Sequence, residues 1–378
     1  MAATAKKSVT IVGAGIAGLT AALCLKQHSI PVKIIEKRTN ITTAGAGIQI
    51  TPNAFRVLDQ LGLDEHIKAS GHAVQHLSIY KARSNTVITR MPLGRDFERT
   101  HHAPYLVLRR QALIDALYKQ ALAQDIDIQF NTKLAQTDGI IIGADGVWSE
   151  LREQVNSTEA KFSGRTAFRC MVAANQAPKW TKTNDLTMWL GDNAHFVAYP
   201  VDEKGTLNLV CVVKEKRPEK RWSTPATPND ILRHLKNWND QIISLVREGE
   251  DWQRWPLYTV EPKQSWSRNN KVLIGDAAHA MVPFLAQGGA MAIEDAATLA
   301  HAIANKTNMN DAFAAYQSLR QERVTRVWNE AKANGKRYHW SGMMAHTRDL
   351  GLKTLGGKRL QQRYDWIYEW QPPSVSHS

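Results

Sequence analysis

Apolar and polar positions change rhythm twice along the chain. From residue 8 to about residue 72, apolar runs such as VTIV and VKII alternate with helical patterns such as IAGLTAALCL, which predicts strands alternating with helices. Residues 77 to 93 read as strands. LVLRRQALIDALYKQALAQ, residues 106 to 124, reads as a helix entered from a strand, and IDIQF and GIIIGADG follow as further strand-like runs. From about Phe162 to Tyr258 the period is two: LTMWL, HFVAYP and TLNLVCVV are short alternating runs, the last two joined across a turn at Asp202-Glu203-Lys204-Gly205. One helix, DILRHLKNWNDQIISLV, is expected to interrupt them. After Lys271 the strand-then-helix rhythm returns. The expectation is an α/β chain of two units interleaved in sequence, the first built of separated segments and the second a mainly antiparallel sheet inserted between them.

Glycine placement gives the first unit its chemistry. VTIVGAGIAGLTAALCL sets Gly13, Gly15 and Gly18 between a strand and a helix. Gly13 permits the tight turn, Gly15 lets backbone approach a pyrophosphate, Gly18 lets helix and strand pack closely, and the helix N-terminus favours the phosphate charge. VKIIEKR then puts Glu36 at the end of the next strand, the spacing expected for a carboxylate on an adenosine ribose, and Lys37 beside it is expected to bind the cofactor as well. A 2′-phosphate would be repelled there, so the site suits FAD or NAD better than NADP.

A second stretch, KVLIGDAAHAMVPFLAQGGAMAIEDA (residues 271 to 296), ends an apolar run in Gly275-Asp276 and opens a helix at Gln287-Gly288-Gly289-Ala290. Together with GxGxxG and Glu36, and with Asp145-Gly146 in GIIIGADGVWSELR, it resembles the FAD-dependent aromatic monooxygenases of the p-hydroxybenzoate hydroxylase type, most closely their salicylate hydroxylase-like branch. The resemblance spans nearly the whole chain. It implies a discontinuous Rossmann-like FAD-binding domain (residues 1–75, 105–160 and 265–330), an inserted antiparallel β-sheet substrate domain (76–104 and 161–264) and a helical C-terminal region (331–378). Asp276 would bind hydroxyls on the ribityl or pyrophosphate side of FAD, and Gly288, Gly289 and Ala290 would bring backbone N–H groups to the flavin's pyrimidine edge. A helix N-terminus there stabilises the negative charge of reduction. Arg110 matches the family arginine that reaches the cofactor from a helix start, whereas Arg109 is expected at the surface. Asp145 matches a position tied to cofactor and nicotinamide handling, and capping the turn before VWSELR is an equal reading. The connection 131–139 is shorter than the family's usual hairpin.

The resemblance further implies NAD(P)H as transient reductant, O2 as co-substrate, a flavin hydroperoxide as oxidant, and a small anionic aromatic of the hydroxybenzoate or salicylate kind as substrate. A reductase of the same fold without oxygen insertion is the alternative. In HFVAYP, His195, Val197 and Tyr199 share one face of a strand. From the residues alone a strand histidine is more often structural; in the branch resembled, a histidine and tyrosine at this spacing line the substrate pocket and the histidine is the base toward the phenol. Gln287 is a second candidate for contact with substrate. Gln49, in GAGIQITPN, stands where a related pyridine hydroxylase carries a histidine.

Composition narrows this further. Lys and Arg number 48 against 35 Asp and Glu, a net charge of +13. Eleven basic and three acidic residues fall in 320–363, a solvated face or an attraction for anionic small molecules. No recognition motif for nucleic acid accompanies the charge. Lys6-Lys7 and the apolar run after them resemble a signal peptide, but three glycines at fixed offsets fit the dinucleotide turn better. No stretch reaches the ~18 apolar residues of a membrane span. Cys24, Cys170 and Cys211 are expected as buried thiols in a cytoplasmic protein, a monomer or homodimer. No spacing indicates a metal site.

Overall fold

The computed structural model describes residues 8–41, 46–135, 139–181, 183–216 and 223–374. The connection 131–139 falls partly outside them, since 136–138 are not among the described residues.

Six strands form the central sheet, in the order Ser267–Arg268, Lys271–Leu273, Ile140–Gly143, Val9–Val12, Val32–Ile35, Asp127–Gln129. All its pairings are parallel except that of Ser267–Arg268 with Lys271–Leu273. Its middle strand, GIIIG in sequence, is buried from Ile140 to Gly143, as a parallel strand covered on both faces requires. Val9–Val12, Ile140–Gly143 and Lys271–Leu273 are neighbours in space but lie far apart in sequence, so three separate segments build one sheet. The helix Ile16–Gln27 packs between the sheet and the helix Gly288–Asn305, and is buried from Gly18 through Leu25. The 30-residue helix Met309–Tyr338 lies against the other side of Gly288–Asn305.

A three-stranded antiparallel sheet, Gly47–Ile50, Leu106–Arg109 and Gly71–Ala73, carries the strand that enters the helix Arg110–Ala123. The third sheet has eight strands, in the order Thr224–Pro225, Gln253–Thr259, Lys161–Val172, Leu207–Lys214, Ala194–Pro200, Asp185–Gly191, His76–Lys81, Val87–Pro92. Every pairing in it is antiparallel but one: Asp185–Gly191 runs parallel to His76–Lys81, where two distant segments meet and a long connection allows parallel pairing. The hairpin expected at Asp202–Gly205 is present, with Gly205 at φ 86° and the Thr206 N–H donating to Asp202 Oδ1 at 3.0 Å.

One element differs from expectation. The single helix read in DILRHLKNWNDQIISLV is two, Pro228–Leu232 and Asp240–Glu248. Asn237 sits between them in the left-handed region (φ 63°), and the Asn239 side chain accepts from Gln241 N to start the second. Both cover one face of the eight-stranded sheet, where Ile231, Leu235, Ile242, Leu245 and Val246 meet Phe168, Phe196, Leu209 and Cys211. The opposite face, with His195, Val197 and Tyr199, turns toward the rest of the molecule.

Short helices Gly342–Leu355, Gly357–Gln362 and Asp365–Tyr368 follow. Their end is fastened by arginines: Arg56 Nη1 donates to Tyr368 O (2.6 Å) and Trp370 O (3.0 Å), and Arg323 donates to Trp366 O and Ile367 O at 2.9 and 2.7 Å. No helix among the described residues is long and apolar enough to cross a membrane.

Candidate active site

The parallel strands carry their chemistry at their carboxyl ends. Gly13 has φ 108°, and a Cβ there would lie 2.5 Å from Ala144 O of the neighbouring strand. A Cβ on Gly18 would lie 1.9 Å from Gly13 O, so helix and turn approach closer than any side chain allows. At Gly15, the N-cap, a Cβ meets nothing within 4 Å. The first two glycines are needed by the chain itself; the open space beside Gly15 is room for a ligand. Glu36 closes the loop, accepting from Ala14 N and Arg38 N at 2.9 Å each. Lys37 turns outward, exposed and 3.9 Å from Glu150.

Asp145 follows the next strand. Its Oδ2 accepts from Glu150 N (2.9 Å) and Leu151 N (3.3 Å), the capping role, while Oδ1 is buried with no partner. Asp276 begins the turn after Lys271–Leu273 and is exposed, yet lies deep among other groups: surrounding protein raises its carboxyl pKa, against the pull of Arg110, His279 and Arg152. Arg110 is half-buried, and burial lowers its pKa while Asp276 raises it. A Cβ on Gly288 would have only Met281 Cγ at 3.9 Å and Asp276 Oδ1 at 4.0 Å, and one on Gly289 would meet Ile48 Cδ1 at 3.1 Å. Ala290 is buried in the first turn behind them. A cleft whose backbone lacks side chains at Gly15 and Gly288, floored by one carboxylate and one guanidinium, fits an extended dinucleotide.

Two groups of residues support this cleft that the sequence reading left unassigned. Arg152, buried, donates to Val147 O (2.7 Å), Thr158 O (2.7 Å) and Ala277 O (3.0 Å), tying the Asp145 turn to the Asp276 turn. Glu294 and Asp295 are fully buried in the helix behind Gly288. Glu294 accepts from Asn53 (2.6 Å) and Arg323 (2.8 and 2.9 Å), and pairs with Arg320. Asp295 accepts from Arg320 Nε (2.9 Å) and Gly275 N (2.9 Å) and meets His279 Nε2 at 2.5 Å. Burial alone would raise the Asp295 carboxyl; His279 and Arg320 overcome it and hold it at about 2. The signal for both was visible, two adjacent carboxylates inside the Ala-rich run AIEDAATLA.

The Gln287 side chain is 1 % exposed, accepting from Asn53 Nδ2 and donating to Thr51 Oγ1, both at 3.1 Å. Both ends of the amide are engaged, so it braces the start of the helix.

His195 and Tyr199 lie on the inner face of the eight-stranded sheet. His195 Nδ1 is 2.8 Å from His339 Nε2, and its ring packs against Phe284 (5.3 Å) and Tyr338 (5.5 Å). Burial, with Arg165 nearby, pushes the imidazole down to about 3. His339 lies at the end of the long helix, outside any motif. Phe284 belongs to the loop between the Asp276 turn and Gly288, and a Cβ on Gly335 would lie 2.4 Å from its ring, so that glycine makes its slot. Tyr199 shares Gln49 with Tyr105, whose hydroxyl donates to Gln49 Oε1 at 2.5 Å. Burial pushes the Tyr199 phenol up to about 12 against the pull of Arg169 and Gln49. Between His195 and Tyr199, burial is broken once: Val197 is the one partly open residue in Ala194–Pro200, and Val210, its cross-strand partner, is the one interior position of Leu207–Lys214 that is partly open. These two partly open valines stand between the rows of His195 and Tyr199.

A parallel sheet with a glycine cradle, an Asp276 floor and an inserted sheet facing it defines a dinucleotide-binding oxidoreductase. The FAD binding domain family matches residues 6–140 and 139–331, and the chain belongs to it. It is 30% identical to 3-amino-4-hydroxybenzoate 2-monooxygenase PtmB3 of Streptomyces platensis, over 97% of each chain. It is also 30% identical to 3-hydroxybenzoate 6-hydroxylase 1 of Aquipseudomonas alcaligenes, over 95% of this chain and 96% of that one. A solved salicylate hydroxylase substrate complex superposes with a TM-score of 0.80 at 21% identity, over 99% of this chain and 100% of the other. The protein is an FAD-dependent aromatic monooxygenase.

Proposed function

We propose that the substrate is a small anionic aromatic phenol of the hydroxybenzoate or salicylate kind, hydroxylated on the ring with O2 and with NAD(P)H as a transient reductant. The partly open face over Val197 and Val210, between a buried imidazole and a phenol, is read as the substrate hollow and carries this proposal. The names of the relatives, which act on hydroxybenzoates, agree with it. When bound, FAD supplies the activation of O2. Gly15, at a helix N-terminus that the Gly13 turn and the Gly18 contact hold in place, would admit its pyrophosphate, Glu36 would accept from its ribose, and Asp276 with Arg110 would hold the middle of the cofactor. The free Asp145 Oδ1 is a further acceptor, and the N–H groups at Gly288, Gly289 and Ala290 serve the flavin ring. Segments 1–75, 105–160 and 265–330 form the cofactor unit, 76–104 and 161–264 the substrate unit, and 331–378 a helical region that supplies His339.

His195 is the base. Its Nδ1 is engaged by His339, which fixes the ring, and its depressed basicity keeps it neutral and able to accept from a phenol. Transfer of the proton then leaves a phenolate beside an imidazolium, and the pairing of those charges in a dry pocket offsets the imidazole's low basicity. The ionised ring is richer in electrons at the carbon to be hydroxylated. Phe284, Tyr338 and Leu285 exclude water from that end. Buried thiols at Cys24, Cys170 and Cys211 support a reducing, cytoplasmic setting for a monomer or homodimer.

A panel of aromatic acids tested for stimulation of NAD(P)H oxidation, with heavy oxygen as O2, checks the reading. The expected result is substrate-stimulated oxidation and one labelled oxygen in the product. Oxidation at the same rate with and without every aromatic would favour a reductase instead.

A further inference from the structure

Of the seven large apolar side chains that stand exposed among the described residues, four belong to one edge of the molecule: Val87, Met343, Met344 and Leu350. Val87 lies on the edge strand of the eight-stranded sheet, Val87–Pro92, and the other three on the helix Gly342–Leu355 packed against that strand. The helix is built inside out. Its charged pair, Arg348 and Asp349, is buried and joined at 2.7 Å, and Arg348 also donates to Arg337 O and Tyr338 O at 3.2 and 3.0 Å. Leu352 and Leu355 pack inward, on the core that includes Ile79, Ile88 and Met91. The outward line, at helical spacing, is Met343, Thr347, Leu350 and Thr354, all exposed. Met343 is 85 % and Leu350 67 % exposed. One apolar stripe is enough to cover the edge strand, so the outer stripe is a second one with no partner in the chain. Single exposed apolar residues are ordinary, but several on one helix face mark a contact surface.

Positive charge surrounds this stripe. Residues 331–364 hold eight basic residues and one acidic, the buried Asp349, and residues 76–92 hold three basic and none acidic. Most of the chain's net charge of +13 therefore comes from these two segments. Lys336 ends the preceding helix, Lys353 stands one turn after Leu350, and Lys358 and Arg359 open the helix that follows, all four exposed. Glu330 takes Arg337 and Arg363, which leaves those four without a carboxylate among the described residues. The platform is rigid, because Gly357 is held so close to Arg90 O that no Cβ fits there.

We infer that this face docks on a membrane surface. Met343, Met344 and Leu350 enter the interfacial layer of a bilayer whose anionic headgroups meet Lys336, Lys353, Lys358 and Arg359. A helix that lies in the interface needs an apolar face and a basic rim and no length to span. Methionine, unbranched and flexible, fits the irregular boundary between headgroups and acyl chains. A second copy of the chain suits the face less well, since a twofold contact sets the bases against their own copies with no acid between. Nucleic acid would pair with the bases and leave the methionine and leucine line bare.

The test uses the FAD-loaded full chain and two kinds of vesicle, phosphatidylcholine alone and phosphatidylcholine with about one third phosphatidylserine. Co-sedimentation reads binding. The anionic vesicles are expected to bind the protein at least ~10-fold more tightly than the neutral ones, and ~0.5 M salt to weaken that binding by ~10-fold or more. A chain of net charge +13 is drawn to any anionic surface, so variants separate the face from the charge. Met343→Ser with Leu350→Ser lowers affinity for anionic vesicles by ~10-fold or more, and Lys353→Glu with Lys358→Glu by as much. Lys119→Glu with Lys133→Glu, the same charge change at exposed bases of the cofactor side, stays within about threefold. All three variants keep the FAD content and melting temperature of the wild type, since the altered side chains stand in solvent. The inference falls if anionic vesicles are not bound, if the serine pair binds as the wild type does, or if the Lys119 and Lys133 pair matters as much as the Lys353 and Lys358 pair. A concentration-dependent dimer that the serine pair dissolves would assign the face to a second copy and overturn the inference as well.

Discussion

The cofactor cleft and the substrate hollow are made of different materials. The cleft is shaped by backbone: a turn at Gly13, an open wall at Gly15 and Gly288, and helix starts whose N–H groups face inward. Its side chains are accessories, and the charged ones behind it, Glu294, Asp295, Arg320 and Arg323, satisfy one another. The proposed hollow is lined by side chains on adjacent strands: two partly open valines and a buried imidazole against a second imidazole. The cleft serves a ligand common to a whole family, and backbone recognises it whatever the surrounding residues. The proposed hollow depends instead on which side chains meet across strands, as His195 meets His339.

Breaking the hollow should have the largest effect on chemistry. His195→Gln is expected to retain FAD and substrate-stimulated flavin reduction but to lose hydroxylation by ~100- to 10,000-fold, with hydrogen peroxide in place of product. Coupling and a pH profile equal to those of the wild type would remove His195 from the mechanism. Behind the cleft, Arg320→Met leaves Glu294 and Asp295 buried with too few partners, and a loss of ~3–5 kcal/mol in denaturant unfolding is expected.

Two glycines sharpen the contrast within the cleft. Gly15→Val leaves the unfolding midpoint of the FAD-free protein unchanged, since a Cβ there meets no protein atom, yet weakens FAD by ~10- to 100-fold, the equivalent of ~1–3 kcal/mol for crowding a packed contact. Gly18→Ala should do the reverse, lowering the midpoint without FAD, because its Cβ would overlap Gly13 O. Equal effects of the two changes on the FAD-free protein would mean that the space beside Gly15 is not a ligand's.

A smaller effect separates the halves by pH. Between pH ~6.5, where a histidine of the unfolded chain takes up its proton, and about pH 3, where His195 does so when folded, the unfolded chain binds the additional proton and stability rises with pH. His195→Gln should flatten that slope by up to ~1.4 kcal/mol per pH unit, whereas Gly15→Val should leave it unchanged. The smallest effect is expected at Lys37→Ala, within about 0.5 kcal/mol in stability and about twofold in FAD affinity, as for an exposed ion pair. A large loss of FAD there would return Lys37 to the site.

The order of strands and helices was legible because period-2 and period-3.6 patterns are local, and the turn at Gly13 and the close approach at Gly18 because glycine at fixed offsets is a backbone requirement written directly into the sequence. Tyr199 and His195 could be placed on one face for the same reason. Other features depended on which strands became neighbours. Gln287 was read as a candidate for contact with substrate; Thr51 and Asn53, more than 230 residues away, take both ends of its amide. His339 meets His195 across 144 residues. The sequence by itself determined the fold and the cradle for the dinucleotide, since both rest on dihedral preferences and on burial of apolar faces along short stretches. Tertiary structure alone decided which buried polar groups found partners and which were left for a ligand, because hydrogen bonding and desolvation depend on distances between residues that the chain keeps far apart.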